Sequence, residues 1–262
     1  MKIKHTLVYI TSILFGIYGY AQNTDTTTTT SETPTDSVVY KQRYGLRVGV
    51  DLSRLVRSYT DDDYQGLEIV GDYRLNHNWF AAAEIGSEKK TTDEDYYNFT
   101  TKGNYIKVGA DINTYDNWYG MENVISLGFR YGFATMSQTV NSYTPYVNDP
   151  YWGEGDTSGI NTDILREYSG LSAHWVEFVV SMKVELLHNI YLGGSVRINK
   201  LLTDKAGGDF PNLWIPGFNK VTDGSSIGMG YNYSITYLIP LYKKSKSQEQ
   251  KKTEEKEKAP KK

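Results

Sequence analysis

Ser172 and His174 are the residues whose types and spacing could support catalysis. Residues two apart on a β-strand point to the same face, so the hydroxyl could act as a nucleophile and the imidazole as its base. The third member of such an arrangement is missing, because the nearby acidic residues, Glu177 and Glu185, have the opposite parity. A lipid-modifying acyl hydrolase that uses Ser172 and His174 is therefore an alternative interpretation, and we expect no enzymatic activity.

The residue types exclude or disfavour several other kinds of site. The sequence contains no cysteine, which excludes disulfides, thiolate metal sites and a cysteine nucleophile. The acidic clusters at residues 61–63 and at Glu154 and Asp156 offer carboxylate oxygens, but neither has the ligand spacing of an EF-hand. The formal net charge of -3 provides no basic footprint for nucleic acid. We predict no metal site, no cofactor and no nucleic-acid partner.

Strands must position these residues, because an alternation of apolar and polar side chains with period 2 recurs eight times between residues 44 and 242. In the last repeat, Met229, Tyr231 and Tyr233 alternate with Gly230 and Asn232. The mean hydropathy of -0.52 is polar, but a membrane strand is recognised by alternation and not by bulk hydrophobicity. The pattern predicts an all-β fold, an eight-stranded antiparallel up-and-down transmembrane β-barrel.

The polar positions of these repeats carry many of the charged residues. An eight-stranded barrel is only wide enough for side chains to fill it, so an aqueous pore is disfavoured. We expect an ionic network in the barrel interior that contains Arg47, Asp51, Glu68, Arg74, Lys107, Arg130, Glu177, Lys183, Glu185 and Arg197. The same inward face carries Asp72, Glu84, Asp111 and Glu122. The second alternative is a periplasmic lipocalin-like carrier, which would turn its apolar face inward instead.

The connections between the repeats alternate in length. The odd connections, near residues 58–64, 87–101, 135–171 and 202–223, are longer than the even ones, as in membrane barrels with short periplasmic turns and long extracellular loops. The last two long loops are rich in aromatic residues and proline. Possible ligand-binding residues in them are Tyr143, Tyr146, Tyr151, Trp152, Trp214 and Phe218. The alternative is that these aromatic residues only cap the barrel.

The ends of the chain differ in composition from the repeats. Residues 1–21 have the basic start, the apolar run and the small-residue site of a signal peptide that is cleaved after Ala21. Residues 22–43 are expected to be a Thr-, Ser- and Asp-rich disordered linker that precedes the barrel of residues 44–242. Residues 243–262 are expected to be a charged disordered tail that follows it. The expected location is the outer membrane of a Gram-negative cell, with outer-membrane lipids and the barrel-assembly machinery as partners.

The signal that ends in Tyr-Ala-Gln, the spacing of eight strands and the closing segment Tyr-Asn-Tyr-Ser-Ile-Thr-Tyr-Leu-Ile-Pro-Leu-Tyr resemble the uncharacterised small outer-membrane β-barrel families of flavobacteria-type genomes. Ser172 and His174 resemble, in reversed order, the His-x-Ser pair of outer-membrane lipid A deacylases. The first resemblance implies no catalytic residues. Our first hypothesis is a structural, adhesive or ligand-docking protein whose extracellular loops meet a ligand or partner protein. The charged extension after Tyr242 departs from barrels that end on an aromatic residue.

Overall fold

The computed structural model describes residues 41–115, 122–143, 164–206, 210–221 and 225–245, and eight long strands account for most of them. These strands are β1 (Lys41–Asp51), β2 (Tyr64–Arg74), β3 (Trp79–Glu94), β4 (Tyr97–Asn113), β5 (Val124–Tyr143), β6 (Glu167–Leu187), β7 (Ile190–Lys205) and β10 (Ile227–Ser245). All neighbouring pairs are antiparallel, and β10 pairs with β1 to close the barrel. The predicted eight-stranded antiparallel barrel is confirmed.

The two ends of the barrel are built differently. At the turn end, short connections join β2 to β3 and β6 to β7, and Asn189 in the second turn has the left-handed φ of 67° that asparagine tolerates. At the loop end lie the connection between β1 and β2, the β3–β4 turn, the β5–β6 connection and the β7–β10 connection. The last of these contains the hairpin of β8 (Trp214–Ile215) and β9 (Asn219–Lys220).

A helix, α1 (Leu52–Thr60), replaces the predicted continuation of the first strand. The expectation that the first strand continues to the connection near residues 58–64 was wrong, because β1 ends at Asp51. The Asp51 carboxylate caps the helix by accepting a hydrogen bond of 2.8 Å from the Ser53 amide. The sequence contained the signal, since apolar residues recur at helical spacing after Asp51 at positions 52, 55, 56 and 59.

Strands extend into two of the predicted loops. The segment 87–101 forms the ends of β3 and β4 around a turn at residues 95–96, and β5 and β6 extend well into the segment 135–171. The two faces of these strands exchange polarity near the loop end. In β5 the outward Phe129 lies next to the inward Arg130, whereas further along the outward Thr135 lies next to the inward Met136. The prediction failed here because it required apolar residues on the outer face.

The interior of the barrel therefore has two layers. Charged side chains fill the middle and the turn end, whereas the loop end holds a hydrophobic cluster. The buried members of this cluster are Tyr64, Phe99, Tyr105, Ala134, Met136, Val140, Tyr168, Leu171, Ala173, Trp175, Phe210, Trp214, Ile215 and Phe218. Glycines make room for the large rings: a Cβ on Gly132 would lie 2.2 Å from the Trp175 ring.

Candidate functional site

Glu84 is the centre of the ionic network in the middle of the barrel. Arg197 donates two hydrogen bonds to its two carboxylate oxygens, at 2.6 and 3.0 Å. Lys107 Nζ and Arg130 Nε each lie 3.5 Å from a Glu84 oxygen. All four side chains are buried. The three positive charges exceed the single negative charge of Glu84, so further anions must balance them.

Those further anions are Glu68, Asp111 and Glu177. Arg197 lies 3.0 Å from Glu177, Arg130 lies 2.7 Å from Asp111, and Lys107 Nζ lies 3.7 Å from Glu68. The partners in these pairs come from different strands and are far apart in the sequence. The middle of the barrel thus holds a continuous set of paired charges that ties its opposite walls together.

A second group of charges lies toward the turn end. Asp72 accepts hydrogen bonds from Arg47 at 2.7 Å and Lys183 at 2.5 Å, and Arg43 lies 2.5 Å from Glu185. Arg74 differs from the other predicted network residues, because the described residues that accept its hydrogen bonds do so through carbonyl and amide oxygens. Of the ten predicted network residues, Asp51 has a different main role as the helix cap.

The predicted network omitted Arg43, Arg54 and Glu88. Glu88 could have been found by parity, since it lies four residues beyond Glu84 on β3 and points to the same side. Arg54 could not have been found by parity, because it lies on α1 and reaches the network from the mouth of the barrel.

Little free space remains between these charges. An interior void bordered by Asp72, Glu84 and Arg197 measures about 40 Å³. A second, at the turn end beside Arg43 and Arg47, measures about 10 Å³. These volumes hold a few ordered waters at most. Within the described residues, the barrel interior is a packed core and not a channel.

Helix α1 turns its arginines toward the barrel mouth. Arg54 lies 3.0 Å from Glu68 and also pairs with Glu88. Burial lowers the pKa of Arg54, but the surrounding charges, with Glu68 foremost, outweigh this effect and hold the pKa above its usual value. The guanidinium group of Arg57 lies over the Tyr64 ring, 4.1 Å from its centroid. The apolar side chains of the helix are instead exposed, and Tyr59 is 91% exposed.

A cleft of about 540 Å³ separates α1 from the β8–β9 hairpin and the loop end of β10. Pairing between β1 and β10 ends where Asp51 meets Ser234, so residues 227–233 of β10 have no β1 partner. Residues 228–231 and Tyr233 of this segment border the cleft. Arg57, Trp214 and Tyr231 line it, which brings a cation and aromatic surfaces together at the loop end.

The aromatic residues predicted to bind ligands occupy different places. Trp214 is 7% and Phe218 1% exposed, and the Phe218 ring packs edge-on against Trp175 with centroids 6.1 Å apart. Tyr143 packs against the same cluster. These contacts match the capping alternative, although Trp214 also borders the cleft. Tyr146, Tyr151 and Trp152 lie outside the described residues.

Ser172 and His174 both lie on the outer face of β6, as their parity predicted. The His174 Nδ1 atom is 2.7 Å from the Tyr131 hydroxyl, and its ring lies against Phe133 with centroids 4.7 Å apart. Among the described residues, no carboxylate is placed against His174. The imidazole thus has an interfacial aromatic neighbourhood in place of the third member of a catalytic triad.

Of the two acidic clusters, Glu154 and Asp156 lie outside the described residues, and in the cluster of residues 61–63 Asp61 is engaged by cations. Asp61 lies 3.0 Å from Lys90 Nζ and 3.5 Å from Arg57 Nε. Within the described residues, no group of three or more histidine or acidic side chains is placed to hold a metal ion. No described helix is long and apolar enough to cross a membrane.

Comparison with known proteins gives one family and two distant structural similarities. The model of a family described as "Domain of unknown function (DUF6048)" matches residues 4–244. The attachment invasion locus protein Ail of Yersinia pestis is 8% identical, with a TM-score of 0.37 over 75% of this chain and 97% of that one. Acinetobacter baumannii CarO2 is 10% identical, with a TM-score of 0.34 over 76% and 99%. No curated protein matches the sequence. Neither structural similarity is close enough to transfer a function.

Proposed function

We propose that this chain, which belongs to the DUF6048 family of unknown function, is an integral outer-membrane β-barrel that docks a ligand at its loop end. The observation that carries this proposal is the inverted distribution of polarity across the barrel wall. In the middle of β5 the outward Leu127 and Phe129 are exposed, whereas the inward Ser126 and Arg130 are buried. A soluble barrel would have the reverse arrangement.

The height of the apolar outer surface supports insertion. On β5 the outward side chains are apolar over residues 125–133 and polar from Thr135 onward. About 9 to 11 residues of a tilted strand cross a bilayer, which matches this stretch. The exchange of polarity between the two faces of β5 and β6 would then mark the outer boundary of the membrane. Export by a signal peptide cleaved after Ala21, and a flavobacteria-type Gram-negative origin, belong to the same proposal.

A closed wall and a filled interior argue against transport through the barrel. The paired charges around Glu84 occupy the cross-section, and an eight-stranded barrel has no room for both them and an aqueous path. The purified protein is expected to produce no steady conductance in a planar bilayer. A steady conductance would contradict the sealed barrel without contradicting insertion.

Docking at the loop end is supported by the cleft beside α1. The cleft combines the cation of Arg57, which lies 5.1 Å from the centroid of the buried Trp214 ring, with the exposed ring of Tyr231. Such a mixture of charge and aromatic surface can bind glycans and partner proteins. The β8–β9 hairpin holds this surface in place, because Phe218 anchors it in the core. Binding of purified protein to a panel of sulfated and neutral glycans tests the docking role, and a Tyr231→Ala variant is expected to weaken any binding found.

Catalysis is not part of this proposal, since His174 is engaged with Tyr131 and has no carboxylate among its described neighbours. A phospholipid and lipid A deacylation assay on the wild type and on Ser172→Ala tests this. We expect no activity in either protein. Deacylation by the wild type that Ser172→Ala abolishes would establish the acyl hydrolase instead.

The direct test of insertion is fractionation followed by electrophoresis of boiled and unboiled samples in detergent. We expect the protein in the outer-membrane fraction, with a change in mobility on boiling. A periplasmic protein that needs no detergent and shows no mobility change would support the lipocalin-like carrier and contradict the membrane barrel.

A further inference from the structure

Three successive rows of outward side chains cross neighbouring strands near the loop end. The first, the belt row, consists of Ile85, Ile106, Phe133 and His174. The second, the hydroxyl row, consists of Ser87, Asn104, Thr135 and Ser172, in direct register with one another. The third, the lysine row, consists of Lys89, Lys102 and Ser137. The outer wall thus changes from apolar to polar to cationic within four residues along β3 and β4.

The lysine row places two like charges directly opposite each other. Lys89 on β3 and Lys102 on β4 are cross-strand partners, an arrangement that is destabilising without a counter-charge. The exposed Glu167 lies 3.5 Å from Lys102 Nζ, but no carboxylate among the described residues forms an ion pair with Lys89. One uncompensated positive charge therefore remains on the outer wall. Lys205, opposite Ser172 on β7, adds a further cation at the level of the hydroxyl row.

These rows surround a groove on the outer surface with a volume of about 860 Å³. Both lysines line it, together with side chains of the hydroxyl row and Ser137. The groove is wide open to the outside, its lining includes the exposed apolar Leu67, and the belt row lies two residues from the hydroxyl row along each strand. It therefore combines hydrogen-bond donors and positive charge with a surface along which an apolar chain could lie.

We propose that this groove binds the phosphorylated headgroup of an outer-leaflet glycolipid, an inference that rests on the proposed outer-membrane location. Residues two apart on a strand are separated by about 7 Å, so the lysine row lies roughly 13 Å along the strand above the belt row. Acyl chains pack on the belt row, the sugar contacts the hydroxyl row, and a phosphate lies between Lys89 and Lys102. Ammonium groups near anionic headgroups favour this phosphate electrostatically.

Binding of lipid A to the full mature protein in detergent tests the site. The probes are bisphosphorylated lipid A and the same lipid A after enzymatic dephosphorylation. Each lysine near an anionic lipid surface contributes about 1 kcal/mol, so the Lys89→Gln/Lys102→Gln double variant is expected to bind the bisphosphorylated form roughly 10- to 30-fold more weakly. Its affinity for the dephosphorylated form is expected to equal that of the wild type.

A matched control removes two exposed lysines that line neither the groove nor the cleft, in a Lys200→Gln/Lys243→Gln variant, and is expected to bind as the wild type does. Equal affinity of Lys89→Gln/Lys102→Gln and the wild type for bisphosphorylated lipid A would overturn the proposal. So would wild-type binding of the dephosphorylated form with undiminished affinity, displacement of the lipid by millimolar inorganic phosphate, or equally tight binding of phosphatidylglycerol. Failure of the outer-membrane proposal is recognised separately, because the wild type would then lack heat-modifiable mobility.

Discussion

The middle and the loop end of the barrel interior are filled by opposite kinds of side chain. In the middle, Glu84 and Arg197 belong to a set of buried paired charges. At the loop end, Trp175 and Phe218 belong to a cluster of rings and aliphatic groups. The outer wall changes in the opposite sense, from the apolar Phe129 beside the charges to the polar Thr135 beside the rings.

If the chain inserts into the outer membrane as proposed, each strand meets lipid along one part of its length and water along another. Where lipid would surround the wall, the chain puts apolar groups outside and must pair every charge that it turns inward. Where water would surround the wall, the same strand encloses a hydrophobic core like that of a soluble protein. The predictions that follow disturb each region in turn.

The largest effect is expected from Glu84→Ala in the middle layer. The change leaves Arg197, Lys107 and Arg130 short of a shared counter-charge in a buried site, and breaking a buried ion pair in this way costs about 3–5 kcal/mol. Urea unfolding in detergent micelles measures the loss. Glu167→Ala, which removes an exposed carboxylate, is the control and should change stability by less than about 0.5 kcal/mol. Similar stabilities of the two variants would contradict the charged middle layer.

A smaller effect is expected from Gly132→Ala, where the two layers meet. The new Cβ would lie 2.2 Å from the Trp175 ring, and overpacking of this kind costs about 1–3 kcal/mol. Gly194→Ala is the matched control, since a Cβ there would meet nothing within 4 Å. The same unfolding experiment compares the two. A Gly132→Ala protein as stable as Gly194→Ala would show that the ring is not held against this glycine.

Asp51→Ala tests the helix that covers the mouth of the barrel. Loss of the cap is expected to destabilise α1 by about 1 kcal/mol, because the Ser53 amide loses its acceptor. Amide hydrogen exchange should accelerate in α1 and remain unchanged in the middle of β5. Asp51→Asn keeps an acceptor oxygen and should retain most of the protection. Equal rates of amide hydrogen exchange in α1 of Asp51→Ala and the wild type would contradict a stabilising cap at Asp51.

The smallest effect concerns Asp61 and Lys90 at the loop end. Slight burial raises the pKa of Asp61, but the hydrogen bond and charge of Lys90, the Asp63 amide and the charge of Arg57 together outweigh this effect, and the pKa lies below its usual value of 3.8. Because the folded-state pKa is lowered, the interaction stabilises the fold above pH 3.8 and is lost as the pH falls through the folded-state pKa. Exchange at the Tyr64 amide, which donates to the Asp61 carbonyl, should reveal this loss in the wild type and not in Asp61→Asn. Exchange rates with the same pH dependence in the wild type and in Asp61→Asn would show that the interaction of Asp61 with Lys90 does not stabilise the fold.

The strands of the barrel were predictable because alternation is a local property. Each residue's side of the wall follows from its position in the repeat, as for Leu127 and Arg130. The partners inside were not predictable, since Glu84 meets Arg197 only after the barrel has closed with a particular register. The charged composition of the interior could be inferred, but its pairs could not.

Two errors had physical causes that the sequence displays. The prediction ended the strands too early because it required an apolar outer face. The outer face of β5 becomes polar beyond Phe133, although the strand continues. The helix was missed because the change from period 2 to period 3.6 occurs at Asp51 without a glycine or proline to mark it. The lysine row was not recognised, since Lys89 and Lys102 become neighbours only through strand pairing.

Accessibility of single cysteines along β5 and β6 tests the inverted polarity of the wall most directly. The chain has no cysteine of its own, so each substitution introduces one reporter. In outer membranes, a lipid-soluble thiol reagent is expected to label Leu127→Cys, Phe129→Cys and Val180→Cys and to leave Ser126→Cys and Ser181→Cys unlabelled. Labelling at Ser126→Cys and Ser181→Cys but not at the three apolar positions, or rapid labelling of the apolar positions by a water-soluble reagent without detergent, would contradict the membrane barrel.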